Sequence, residues 1–120
     1  MAIILLAEDD DALRTFLQNA LRRAGHIVTA CSDGEEALAA VERAPYELLV
    51  ADIVMPGLDG IELAQRAGAK LPNMKILFIT GFAAVAMHAR KLGGNRDAKI
   101  LSKPFHLKEL VTQIDRILAA

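Results

Sequence analysis

The stretch ELLVADIVMPGLDG, residues 47–60, most constrains what this chain can fold into. Leu48, Leu49, Val50, Ala51 and Ile53 run without polar alternation, as in a strand covered on both faces. Such strands belong to parallel sheets with helices above and below. Met55, Pro56 and Gly57 then end the run in a turn. Asp52 falls at the carboxyl end of this strand, where open α/β sheets place their ligands, and is the candidate reactive group.

The rest of the chain repeats the pattern. Residues 2–7 form an apolar strand that runs into Glu8, Asp9, Asp10 and Asp11. Ala12, Leu13, Phe16, Leu17, Ala20, Leu21 and Ala24 follow at helical spacing, with Asp10 or Asp11 as N-cap and Gly25 as the stop. A second strand is expected over 26–30. Asp33 and Glu36 have capping-box spacing for a helix to about residue 43, closed by Pro45. Asp59 and Glu62 repeat that spacing for a helix to about residue 70, with Ile61, Leu63, Ala64 and Ala67 on its apolar side. Strand four covers 75–79 and leads to Thr80-Gly81; a weakly capped helix over 83–92, expected to be the most mobile, precedes Gly93-Gly94-Asn95. Strand five covers 99–101, then Ser102-Lys103-Pro104-Phe105. The last helix carries Leu107, Leu110, Val111, Ile114, Ile117 and Leu118. Five strand-helix units with no linker predict one α/β domain over 1–120, a parallel sheet of flavodoxin-like order 2-1-3-4-5 with helices on both faces.

Composition excludes several functions. A net charge of −1 offers no field for nucleic acid or an anionic membrane surface. The N-terminal apolar run is too short for a signal peptide and has no basic residues before it, so no membrane insertion and a cytoplasmic location are expected. Cys31, the single cysteine, reads as a small buried hydrophobe rather than a reactive thiol. No GxxxxGK[ST] loop exists for a nucleotide hydrolase, and aromatics at 4% with no Trp do not suit a flavin carrier.

In the predicted strand order, Glu8 and Asp9, Asp52, Thr80 and Lys103 all fall at neighbouring strand ends. Taken alone each has a plainer role: acids favouring a helix N-terminus, a threonine in a turn, a solvated lysine. Together they make a pocket. Carboxylates about 5 Å apart repel by roughly 3 kcal/mol at an effective dielectric near 20, so three of them call for a cation. Few protein oxygens with room for water suit Mg²⁺ better than Ca²⁺, and the Val54 backbone carbonyl offers one more donor. A carboxylate beside such an ion is a credible nucleophile toward a phosphoryl group, with Lys103 and the Thr80 hydroxyl holding its oxygens.

LLAEDD, DIVMPGLDG, ITGFAA and LSKPF together resemble the response-regulator receiver domains of bacterial two-component signalling, over the whole chain. That resemblance implies Glu8 and Asp9 as the acidic pair, with Asp9 a direct Mg²⁺ ligand. It implies Asp52 as the phosphorylated residue, Thr80 as the switch hydroxyl and Lys103 as the phosphate clamp. A cis Lys103-Pro104 bond is implied as well. The family's switch aromatic sits three residues before the lysine, where this chain has Ile100. Isoleucine cannot swing a polar-tipped ring, so the coupling to the face of the fourth helix, fifth strand and last helix must differ. Phe82 is the candidate replacement; its plainer role is packing under the fourth helix.

Within the family, KILFITGFAAVA, AKILSKPFHLKELV and DIVMPGLDGIELA resemble the CpdR-type single-domain cell-cycle regulators of alphaproteobacteria. The resemblance implies output by protein binding and no enzymatic activity beyond the chain's own phosphoryl transfer and dephosphorylation. It implies a histidine kinase or histidine phosphotransfer protein as donor, and the ClpX unfoldase as a partner engaged by the unphosphorylated form. A position at the cell pole follows from the same resemblance. Leu118-Ala119-Ala120 looks like the small apolar tags that such unfoldases recognise, which makes Ala119 and Ala120 a candidate degron; alanine's high helical propensity is the simpler reason for them. Rival readings are a phosphorelay or motility-type receiver, a receiver cut from a longer protein, and an aspartyl-phosphate phosphatase. The phosphatase needs a second acid two residues after Asp52, where Val54 stands.

Overall fold

The structure, a computed structural model, describes residues 1–81 and 98–120. The expected helix over 83–92 and Phe82 lie outside the described residues. Five strands, β1 (Ile3–Ala7), β2 (Ile27–Cys31), β3 (Leu48–Asp52), β4 (Lys75–Thr80) and β5 (Lys99–Ser102), form one sheet of order β2-β1-β3-β4-β5. Every pairing is parallel, with Ala7 opposite Ala51, Asp52 opposite Ile79 and Thr80 opposite Ser102. The expected order is the observed one.

Among the described residues the helices are α1 (Asp11–Arg23), α2 (Gly34–Arg43), α3 (Gly60–Lys70) and a C-terminal helix (Leu107–Ala119). Alternate residues of each central strand feed two cores. Leu5, Leu49, Ala51, Ile76 and Phe78 pack with Ala37 and Val41 of α2 and Leu63, Ala64 and Ala67 of α3. Ile4, Leu6, Leu48, Val50, Leu77 and Ile79 pack with Leu17 and Leu21 of α1 and Leu110, Ile114 and Ile117 of the C-terminal helix. Both faces of β3 are thus covered, which is why its sequence shows no alternation. Each fully buried leucine here contributes about 2 kcal/mol relative to exposure.

Three aspartates start the first three helices. Asp10, Asp33 and Asp59 accept from the amides of Leu13, Glu36 and Glu62 at 2.7, 2.8 and 2.8 Å. The two expected capping boxes are not reciprocal. Glu36 reaches back to the Ser32 amide, and Glu62 turns to Arg66. His26, expected to open strand two, instead completes the end of α1. Its amide bonds to the Leu21 carbonyl and its Nδ1 accepts from the Ala2 amide. Gly25, at φ 96°, makes that reversal, a conformation that glycine adopts without strain. Phe16, expected on the apolar stripe of α1, is 52% exposed. It sits on the flank of the stripe, and the buried line runs through Leu17, Ala20 and Leu21.

Candidate functional site

The carboxyl ends of β1, β3, β4 and β5 converge as the strand order requires. β3 ends on Asp52, a residue only 6% exposed. The turn after it is packed from two sides. Gly60 donates its amide to the Ile53 carbonyl, and a Cβ on Gly60 would collide with the Asp52 carbonyl, so this close approach requires glycine. Across the turn, Glu35 of α2 accepts from the Leu58 amide at 3.2 Å. Both contacts fix the segment from Ile53 to Leu58 against the end of β3.

Glu8 follows β1, fully buried, and Asp9 beside it is exposed. One carboxylate oxygen from each of Glu8, Asp9 and Asp52 lies within 4.8 Å of the others. That spread is close to the roughly 4.2 Å between opposite ligands of an octahedral Mg²⁺, so three hard carboxylates fit such an ion. Val54 is exposed, and its amide donates to Asp52 Oδ1 at 3.1 Å. Thr80 is buried at the end of β4, and its carbonyl accepts from the Lys103 amide at 2.7 Å.

Lys103 closes the group. Its Nζ donates to Asp52 Oδ2 at 2.8 Å and to Glu8 Oε1 at 3.2 Å, so one ammonium bridges two buried carboxylates. The Lys103-Pro104 bond is cis, as the resemblance implies. Burial works against the ammonium, but the hydrogen bond to Asp52 and the charges of Glu8 and Asp52 outweigh it, and the Lys103 pKa lies above the ordinary lysine value. The lysine is therefore the resident counter-ion of the acids.

Glu8 feels the opposite balance. Burial penalises its charged form, and the Asp52 charge adds to this. The Asp10 amide and Lys103 pull part of the way back, leaving the carboxyl at about 7 against an ordinary 4.5. The folded chain then holds the Glu8 proton more tightly than the unfolded chain. In metal-free protein this contribution to stability is fully present below pH 4.5 and is lost as pH rises through 7. The loss is on the order of 3 kcal/mol. Denaturant midpoints of Glu8→Gln and wild type, compared across that window without metal, should diverge as pH rises, with the variant the less sensitive. Parallel profiles would remove Glu8 as the source.

Ile100, on β5, faces the core shared by α2 and α3 and is half-buried there, a packing position. Ala119 and Ala120 are exposed, remote in sequence from the acidic cluster. Cys31 is buried, and burial raises its thiol to about 11, as an inert cysteine requires. No helix among the described residues is long and apolar enough to cross a membrane. Sequence reasoning missed Arg14, Glu35 and the amides of Asp10 and Val54. The i, i+3 spacing of Asp11 and Arg14 was the only signal for any of them.

A five-stranded parallel sheet with three carboxylates, a threonine and a lysine at its carboxyl edge is the architecture of a phosphoacceptor module. Residues 4–115 match the response regulator receiver domain, and the chain belongs to that family, the receivers of two-component systems, which pair with histidine kinases. The chain is 52% identical over its full length to the response regulator receiver protein CpdR of Brucella abortus, covering 99% of that protein. It is also 36% identical over 119 residues to the sensor kinase CckA of that organism, spanning 98% of this chain and 12% of the kinase. A response regulator receiver protein from Sinorhizobium medicae superposes with a TM-score of 0.89 at 35% identity, over 99% of this chain and 95% of that one.

Proposed function

We propose that this chain is a CpdR-type phosphoacceptor in which Asp52 accepts a phosphoryl group from a histidine kinase or histidine phosphotransfer protein, with Mg²⁺ held by Glu8, Asp9, Asp52 and the Val54 carbonyl. The observation that carries it is the 2.8 Å contact of Lys103 with Asp52 inside the cluster of three carboxylates. In the reaction an Asp52 carboxylate oxygen bonds to phosphorus as the phosphorus–nitrogen bond to the donor histidine breaks. The electron pair goes to the imidazole nitrogen, which takes a proton from solvent. Lys103 shifts from a carboxylate to a phosphoryl oxygen, and the Thr80 hydroxyl holds another. When bound, the metal neutralises charge on the transferred group. Beyond this transfer and the later hydrolysis, the chain has no enzymatic role.

The partner reading is a cytoplasmic adaptor, placed at the cell pole, that engages the ClpX unfoldase when unphosphorylated. Similarity over the whole chain supports a CpdR-type receiver, and the ClpX partnership and the polar position are proposed from that resemblance. Purified ClpX should be retained by the metal-free protein and by Asp52→Ala. It should be released from wild type by beryllofluoride with Mg²⁺. Retention unaffected by beryllofluoride would overturn the phosphorylation-dependent output.

A further inference from the structure

Arg14 makes two contacts that the phosphoacceptor chemistry does not use. Its Nη1 donates to the Glu8 carbonyl at 3.0 Å, and its Nη2 pairs with Asp11 Oδ1 at 2.6 Å. The arginine side chain is 21% exposed while that of Asp11 is 89% exposed. An i, i+3 pair on a solvated helix surface contributes little and does not need a sheltered guanidinium. The contact with the Glu8 carbonyl is the informative one. The Glu8 amide is still tied to the sheet, through the Cys31 carbonyl, whereas its carbonyl lies past the β1–β3 pairing that ends at Ala7 and Ala51. Arg14 supplies that carbonyl with a donor. The peptide unit from the Glu8 carbonyl to the Asp9 amide is planar, so anchoring its oxygen fixes the direction in which Asp9 leaves the chain. On the other side, the Asp10 amide holds Glu8 Oε2 at 3.0 Å.

We infer that Arg14 is a positioning residue: through the Glu8 carbonyl it sets the β1–α1 turn so that Glu8 and Asp9 converge with Asp52 on a divalent cation. The inference rests on the reading of this pocket as metal-dependent. Two other roles for Arg14 make different demands. As a mere positive charge beside three carboxylates it would oppose cation binding, so removing it would tighten Mg²⁺. As a mere fold-stabilising contact it would change the melting temperature and leave the metal affinity of the folded protein alone.

Calorimetric titration of the full chain with Mg²⁺ separates these roles, using Arg14→Met, which loses charge and donors, and Arg14→Lys, which keeps the charge without the fork. Positioning predicts that Arg14→Met binds Mg²⁺ about tenfold more weakly despite the more negative pocket, a size typical of residues that orient metal ligands, with Arg14→Lys in between. Tighter or unchanged binding in Arg14→Met overturns the inference. A second measurement needs no metal. In metal-free protein the amides of Asp9 and Asp10 should exchange faster in both variants, while those of Val54 and Lys103 keep their wild-type rates. Uniform rates across wild type and variants overturn the inference as well. If wild type binds no Mg²⁺, the metal-dependent reading of the pocket fails, and the exchange rates still decide whether Arg14 orders the turn.

Discussion

Replacing Lys103 with methionine is expected to damage both the resting protein and the reaction. The methionine stem fills similar space, but Asp52 and Glu8 lose the ammonium that bridges them at 2.8 and 3.2 Å. Removing one member of a buried ion pair costs about 3–5 kcal/mol when the remaining charge has no recourse. Here the Lys103 side chain is 28% exposed and Glu8 can take up a proton, so the effect is smaller. A loss of about 2 kcal/mol is expected at pH 8 without metal, and clearly less at pH 5.5, where Glu8 with its carboxyl at about 7 is protonated. Phosphorylation by a small phosphodonor should slow by about 10²–10³-fold, the size associated with removing one fixed positive group from a developing anion. Chemical denaturation at the two pH values and an initial-rate assay check both parts. Equal destabilisation at both pH values would show that Glu8 does not buffer the lost charge.

Asp52→Asn is expected to abolish phosphoryl incorporation outright. The amide still accepts from the Val54 amide and preserves the end of β3, so the fold is kept. It carries no anionic oxygen to attack phosphorus, and the loss should exceed about 10³-fold. Lys103 keeps Glu8 as a partner. Radiolabel transferred from a phosphorylated histidine phosphotransfer protein measures it, with wild type as reference. Incorporation above about 1% of wild type would move the phosphoacceptor to another residue.

Much of this was readable from the chain because the informative signals are local. The β3 run announced its two-sided burial, and Asp10, Asp33 and Asp59 announced three helix starts through short polar side chains in extended backbone. Strand edges moved by a residue where long-range bonding intervened, as at His26, whose imidazole accepts from Ala2 across 24 residues. Phe16 shows the limit of periodicity: helical spacing places a residue near a stripe without saying how wide the covering surface is. Topology brought Glu8, Asp9, Asp52, Thr80 and Lys103 to one edge before any side chain was placed. The bridge made by Lys103 was beyond reach, since its partners lie 51 and 95 residues away. Arg14 and Glu35 act on backbone groups, and backbone donors and acceptors leave no mark in a sequence.

The most direct measurement is the intact mass of the full chain after incubation with a small acyl phosphodonor, with and without Mg²⁺, followed by peptide mapping. The predicted result is one phosphoryl group per chain, formed only with Mg²⁺, lost on treatment with hydroxylamine as an acyl phosphate should be, and located on Asp52. Phosphate that resists hydroxylamine, that appears equally without Mg²⁺, or that maps to another residue would contradict the account.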